Sequence, residues 1–337
     1  MRFSFQVVIL LASISACQSQ NTELITISGL TMGTTYSVKI VPNDIMLDRS
    51  VLHTDIEEIL ADINQAMSTY IDDSELSRFN QSKVTDWQIL SDDLYSVIEH
   101  ANKISLITGG AFDITVGPLV NIWGFGPDPF TREIPTDPVI QSMKIHTGYE
   151  KLAFDKSSNQ ISKSDPDITI DLSGIAKGFT VDKIARYLDK QNFHNYLVEI
   201  GGELIGKGAN ANQQAWQIGI EQVNLFQRSI QRIIKLENLA MATSGDYRNY
   251  FKKDGIRYSH IVDPVTGKPI NHKLASVTVL DISTMNADAL ATAFMVLGPE
   301  KTISLADELN IAVYTIIKTN TGYEERYNDH FKPYILN

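Results

Sequence analysis

Cysteine is almost missing from this chain: one occurs among 337 residues, Cys17. A single thiol cannot close an intramolecular disulfide, and it leaves no cysteine pair for a structural zinc site. No His/Cys cluster has zinc spacing, no Walker A sequence occurs, and no Gly-x-Ser-x-Gly elbow occurs. Positive charge is scarce and never clustered. Lys and Arg total 29 against 40 Asp and Glu, a formal net charge of -11. That balance argues against nucleic-acid binding and against adsorption to anionic lipid through charge. Internal repeats, low-complexity segments and obvious linkers are absent too. What remains is 43% hydrophobic, enough for one large domain or two small ones.

The N-terminus reads as an export signal. Met1-Arg2 precedes an apolar run from Phe3 to Ile14, too short to span a bilayer. Ile14-Ser15-Ala16-Cys17 closes it and resembles the lipobox of bacterial lipoproteins, which predicts cleavage before Cys17 and lipid attached there. A plain signal peptide with a chance cysteine is the weaker reading, because Cys17 is the only one. Residues 1–16 are therefore expected as signal peptide, 17–23 as a polar tether and 24–337 as the folded domain. Gln18 in place of Asp after the cysteine leans toward the outer membrane without deciding between the two membranes.

The stretch Ile168–Arg186 organises the rest. Ile168, Ile170 and Leu172 alternate with polar residues, as in a half-buried strand. Ser173-Gly174 breaks the alternation. Ile175, Phe179, Ile184 and Leu188 then suit one helix face, with Lys177 and Gly178 in the first turn and Asp182 pointing away from the apolar side. Strand, tight turn and helix N-terminus together can hold an anion such as phosphate. The plainer alternative is an ordinary connection that needs glycine for its turn.

Elsewhere, strands are expected at Leu24–Ile27, Thr34–Val41, Tyr196–Ile200, Trp216–Ile220, Arg232–Leu236, Leu239–Thr243 and Ser276–Leu280, with a last one at Ile311–Ile317. Helices are expected over Asp48–Ala66, after an N-cap at Ser91, over Asn286–Leu297 and over Glu300–Leu309. Gly109-Gly110 is a plausible helix stop, and Leu152–Ile161 a hairpin turning at Ser158-Asn159. Gly110–Gly126, dense in glycine and aromatics, reads as a loop, its glycines allowing close backbone approach. Strands and helices mix without strict alternation, which favours an α+β class.

Two groups suggest chemistry. Asp288 and Thr292 stand four apart on a helix, so they share a face. Carboxylate and hydroxyl oxygens are hard donors that suit Mg²⁺, although an isolated Asp-x-x-x-Thr is more often a solvated helix face. His260, beside an expected strand and ahead of Asp263-Pro264, can take a proton from a hydroxyl nucleophile or be a buried structural histidine.

Nine ordered motifs resemble the ApbE family, the FAD:protein FMN transferases. They are Met32–Tyr36, Met67–Tyr70, Ser74–Asn80, Gly110–Gly126, Asp171–Gly178, Glu199–Glu203, Ala242–Arg248, Ser259–Gly267 and Ala287–Thr292. The resemblance implies a single compact α+β domain with FAD bound in a cleft. It implies Mg²⁺-dependent transfer of FMN from FAD to a Ser or Thr hydroxyl of a target flavoprotein, releasing AMP. Met32, Tyr70, Ala111, Phe112, Asp113, Asp171, Lys177 and His260 would contact FAD. Tyr70 and Phe112 would cover its rings. Asp288, at the cleft surface, and Thr292 would ligate the metal, with a backbone oxygen near Gly174. His260 and Asp288 would be the catalytic pair. Acceptors would be FMN-bearing subunits of membrane redox pumps or periplasmic reductases, and the enzyme would sit on the periplasmic side of a bacterial membrane, anchored through Cys17. Two alternatives remain: an FAD pyrophosphatase yielding FMN and AMP, and a non-catalytic FAD-binding lipoprotein.

Overall fold

The computed structural model describes residues 24–42, 48–127, 133–223, 229–247 and 249–336. The expected signal, tether and lipid site at Cys17 lie outside them, as does Arg248. Eight strands build the main sheet: β1 (Ile25–Thr31), β2 (Thr34–Ile40), β3 (Tyr196–Ile200), β4 (Glu203–Lys207), β5 (Leu239–Gly245), β6 (Leu274–Asp281), β7 (Ala312–Lys318) and β8 (Tyr323–Tyr327). They lie side by side in chain order, and every neighbouring pair is antiparallel.

Among the described residues, eight α-helices accompany them: α1 (Arg49–Met67), α2 (Glu75–Gln81), α3 (Asp92–Ile107), α4 (Gly117–Ile122), α5 (Asp137–Lys144), α6 (Ala176–Lys190), α7 (Thr284–Leu297) and α8 (Pro299–Glu308). The expected α+β class is the observed one.

Strand periodicity explains the layering. On β7, Val313 and Ile317 join the apolar cluster of α3, α7 and α8, while Ala312, Tyr314 and Ile316 face the opposite cluster. That second cluster is covered by a three-stranded sheet of Trp216–Glu221, Ile230–Leu236 and Ile335–Leu336. The central strands of the main sheet are thus buried on both faces. This is why Leu274 to Leu280 is buried at every position instead of alternating.

Caps place the helices. Ser91 accepts from the Leu94 N–H, as expected, and α3 ends just before Gly109 at φ 60°. Ser283 caps α7 by accepting from the Asn286 N–H.

Several expectations are corrected. Ile168–Leu172 is extended and its apolar residues are buried, but it is no strand. The Asn80 side chain takes the Ile170 N–H and donates to the Ile170 carbonyl, and the Asp171 N–H goes to the Ile114 carbonyl. An amide side chain and one carbonyl of the Ile114–Val116 turn replace the neighbouring strand, so alternation without a partner misled. Asp182 does not point away from the core. It is buried and accepts from Ser283 Oγ at 2.7 Å, the Thr284 N–H at 2.8 Å and the Met285 N–H at 3.1 Å, so α6 caps α7. Gly110–Gly126 is largely helical, from a 3₁₀ turn at Ile114–Val116 into α4. Two of its glycines admit protein neighbours: a Cβ on Gly117 would stand 2.8 Å from Thr169 Oγ1, and one on Gly126 1.6 Å from Asn121 Oδ1. Ile311–Ile317 is not the last strand, because the polar edge strand β8 follows it.

Candidate active site

The α6–α7 crossing makes the floor of the site. Gly178, in the first turn of α6, sits where a Cβ would come 2.4 Å from the Thr284 carbonyl oxygen and 2.8 Å from Asp288 Cβ. Only glycine lets the helices approach that closely. The contact brings Asp288 to the N-terminus of α6, where its Oδ2 accepts from the Gly178 N–H at 3.0 Å. Part of the expected anion-binding turn is therefore taken by a carboxylate of the protein itself.

Asp288 is 2% exposed. It is not on a solvated helix face but buried in the floor of the cleft. Lys177 Nζ lies 3.8 Å from Asp288 Oδ1 and 3.2 Å from Glu203 Oε1. Burial pushes the Asp288 carboxyl up from its ordinary range, against the pull of the Lys177 ammonium and the Gly178 N–H. Burial likewise raises Glu203, and Lys177 only partly offsets it. Burial opposes the Lys177 charge as well, yet the two carboxylates outweigh it and hold the ammonium above its usual range. Two buried carboxylates share one ammonium, so the floor is short of positive charge.

Thr292, one turn along α7 from Asp288, meets Ser244 Oγ at 3.3 Å through its own hydroxyl. A Cβ on Gly174 would come 3.1 Å from that hydroxyl, so the backbone lies tight against Thr292. Asp288, Thr292 and the Gly174 backbone offer hard oxygens around a buried negative charge, a donor set that fits Mg²⁺.

Above the floor opens a cavity of about 590 Å³, large enough for a sizeable ligand. Its lining includes Ala111, Phe112, Asp113, Asp171, Gly174, Lys177, His260, Asp288 and Thr292, so the structure gathers these expected site residues. Glu199, Glu203, Ser244 and Gly245 line it too.

His260 stands on the wall. Its Nδ1 lies 2.9 Å from the Asn249 carbonyl oxygen, which can only accept, so Nδ1 carries the proton and Nε2 keeps a free lone pair in the neutral ring. Burial lowers the His260 pKa below the ordinary histidine value, the Asn249 carbonyl working against that shift. An aromatic chain braces the ring: Phe125 meets it edge-on at 6.3 Å, then Phe251, Tyr258 and Trp123 follow at 5.6, 5.0 and 5.6 Å. Phe251 and Tyr258 belong to the hairpin Tyr250–Lys253 with Ile256–Ser259. Asp246 ties that hairpin down through Arg257 and pairs with Lys318 at 2.6 Å.

Met32 and Tyr70 are not in the cavity lining. Met32 forms the β1–β2 turn with Gly33, both at positive φ, and packs toward α6, where the Thr180 hydroxyl meets its Sδ at 3.7 Å. Tyr70 is 71% exposed, and partial desolvation together with the nearby Asp171 carboxylate raises its pKa. Phe112 is buried in the floor and presents only part of its ring. Asp113 uses Oδ1 for Thr115 and Oδ2 for the Tyr149 N–H. Both oxygens are engaged in holding the Ile114–Val116 turn in shape.

Glu203 is the residue that sequence reasoning missed as a site group, although it stood at the end of the Glu199–Glu203 motif. A carboxylate directly after two glycines at a strand end was the available signal. Away from the cavity, His146, Asp165 and Asp167 offer ligand atoms within 4.8 Å of one another. His146 Nδ1 already meets Asp165 at 2.8 Å and Lys83 pairs with Asp167 at 2.6 Å, so these groups already have partners.

With this geometry in view, the likenesses to known proteins are specific. The ApbE family model matches residues 32–315. The FAD:protein FMN transferase of Vibrio cholerae serotype O1 is 47% identical over 313 residues, 93% of this chain and 93% of that protein. The one of Haemophilus influenzae is 44% identical over 325 residues, 95% and 94% of the two chains. Among solved structures, the flavin transferase ApbE from Vibrio cholerae superposes with a TM-score of 0.87 at 46% identity, covering 93% of this chain and 99% of that one. The apo flavinyl transferase ApbE of Pseudomonas stutzeri gives 0.85 at 37% identity, covering 92% and 96%.

Proposed function

The chain belongs to the ApbE family, and on that premise we propose that it is an FAD:protein FMN transferase, moving FMN from FAD onto a hydroxyl of a target flavoprotein. The observation that carries the catalytic reading is the meeting of Asp288, Thr292 and Lys177 on the floor of one cavity that His260 also lines, with its Nδ1 engaged by the Asn249 carbonyl.

The pyrophosphate of FAD is the bond to be split, and its charge resists an incoming oxygen nucleophile. Mg²⁺ held by Asp288, Thr292 and a backbone oxygen near Gly174 would supply charge neutralisation of the phosphates. Lys177 would add a second positive charge from the protein. His260 Nε2 would accept the proton of the acceptor Ser or Thr hydroxyl, with Nδ1–H kept on the Asn249 carbonyl so that only one nitrogen is basic. Phosphorus then exchanges its bond to the AMP oxygen for one to the acceptor oxygen, and AMP leaves. The flavin end would lie toward Phe112, and Tyr70 and Met32 would close over FAD from the rim.

The site residues, the magnesium ion and the export route belong to this reading as proposals. Cys17 would carry the lipid that anchors the enzyme on the periplasmic side of a bacterial membrane. Acceptors would be FMN-bearing subunits of redox pumps or periplasmic reductases. Hydrolysis of FAD by water is the nearest competing reaction, because the same floor would serve either nucleophile. The test is to incubate the protein with FAD, Mg²⁺ and a candidate acceptor domain while following FMN, AMP and acceptor mass. Acceptor mass rising by one FMN in step with AMP supports transfer. Equal free FMN and AMP with unmodified acceptor would mean a pyrophosphatase, and intact FAD a binding protein.

A further inference from the structure

The floor holds a contact that the transfer reaction does not by itself require. Lys177 Nζ stands between Asp288 Oδ1 at 3.8 Å and Glu203 Oε1 at 3.2 Å. Asp288 is the carboxylate read above as a metal ligand, so an ammonium already leans on it. Glu203 is 4% exposed and lines the cavity, and its second oxygen, Oε2, is buried without a hydrogen-bond partner. A buried carboxylate with one unused oxygen is costly unless something comes to use it.

We propose that Lys177 is a built-in counter-ion shared by Asp288 and Glu203 until a divalent cation arrives, and that Glu203 is the positioning residue that keeps Lys177 when Asp288 is taken.

An ammonium has three donors, and neither carboxylate contact uses Lys177 fully. The Lys177–Glu203 contact is the shorter of the two, so a small swing of a flexible side chain would complete it onto Oε2. The ammonium repels a divalent cation at Asp288, but without it two buried carboxylates would face each other with no cation between them. Glu203 resolves that conflict by giving the ammonium somewhere to go without leaving the cavity. There it would still face the FAD phosphates. This inference rests on the metal reading made above and adds to it a competition between the protein's own cation and the metal.

The test measures Mn²⁺ affinity of the full-length chain without FAD, through loss of the free-ion paramagnetic resonance signal. Lys177→Met removes the competing charge and should tighten Mn²⁺ by roughly tenfold or more, the scale on which a unit charge about 4 Å away acts in a partly hydrated site. Glu203→Gln removes the receiving charge and should weaken Mn²⁺. In the double variant that weakening should vanish, because Glu203 acts through Lys177. Lys177→Gln serves if the apolar chain disturbs packing. A tightened site is not what damaged folding produces. An unchanged or weaker Mn²⁺ affinity in both Lys177 variants would overturn the proposal, as would an equal Glu203→Gln loss in both backgrounds. If the unsubstituted chain binds no Mn²⁺ at all, with or without FAD, the metal reading itself falls and this inference with it.

Discussion

The Gly178 N–H donates to Asp288 Oδ2 at 3.0 Å, across 110 residues of sequence. This one bond joins the start of α6 to the middle of α7 and fixes where the buried carboxylate points. It exists because Gly178 has no side chain to hold the helices apart.

Gly178→Ala should therefore be a severe substitution. Its Cβ would fall 2.4 Å from a backbone oxygen that cannot swing aside. Overpacking of this kind costs about 1–3 kcal/mol. Urea unfolding should show that loss, and the FMN transfer rate should drop further than stability predicts, since Asp288 is displaced with the helix. A variant with wild-type rate would show that the crossing does not position Asp288.

Asp288→Asn keeps shape and removes charge. We expect a folded protein whose Mg²⁺-dependent transfer is lower by at least about 10²-fold, because charge neutralisation by a metal contributes several kcal/mol. EDTA should bring the wild type to a similar level. Full activity in EDTA would remove the metal from the mechanism.

His260→Ala should lose about 10²–10⁴-fold in transfer rate while still binding FAD, with no recovery at saturating FAD. The pH profile gives a separate check. The base form is neutral, and burial places the His260 pKa below 6.5. The wild-type rate should therefore hold its plateau as pH falls through 6.5 and decline only at lower pH, as the ring takes up its proton. A rate that stays flat as the ring is protonated, or rescue of the variant by excess FAD, would assign His260 to binding.

Lipidation is checked by mass. The membrane fraction should contain a chain that begins at an acylated Cys17, and Cys17→Ser should release soluble enzyme with unchanged transfer to a soluble acceptor. An intact Met1 terminus in the membrane fraction would rule this out.

Much of the α+β arrangement is legible in the sequence, because hydrophobic period and capping chemistry are local. Ser91, Gly109-Gly110 and the Ser158-Asn159 turn mark element ends where they occur. The nine motifs also carry the family. What stays hidden depends on who the neighbours are. Ile168–Leu172 alternates like a strand, yet its hydrogen bonds go to Asn80 and Ile114, which no local pattern announces. Asp182 reads as a solvated helix residue until α7 arrives with unpaired N–H groups for it to cap. Asp288 and Glu203 are ordinary acids 85 positions apart in the chain. Their altered proton affinity comes from burial and from sharing Lys177, both consequences of α6, α7 and β4 closing on one another. Residue types and their spacing are written along the chain, whereas desolvation and charge sharing arise only between segments that the fold brings together.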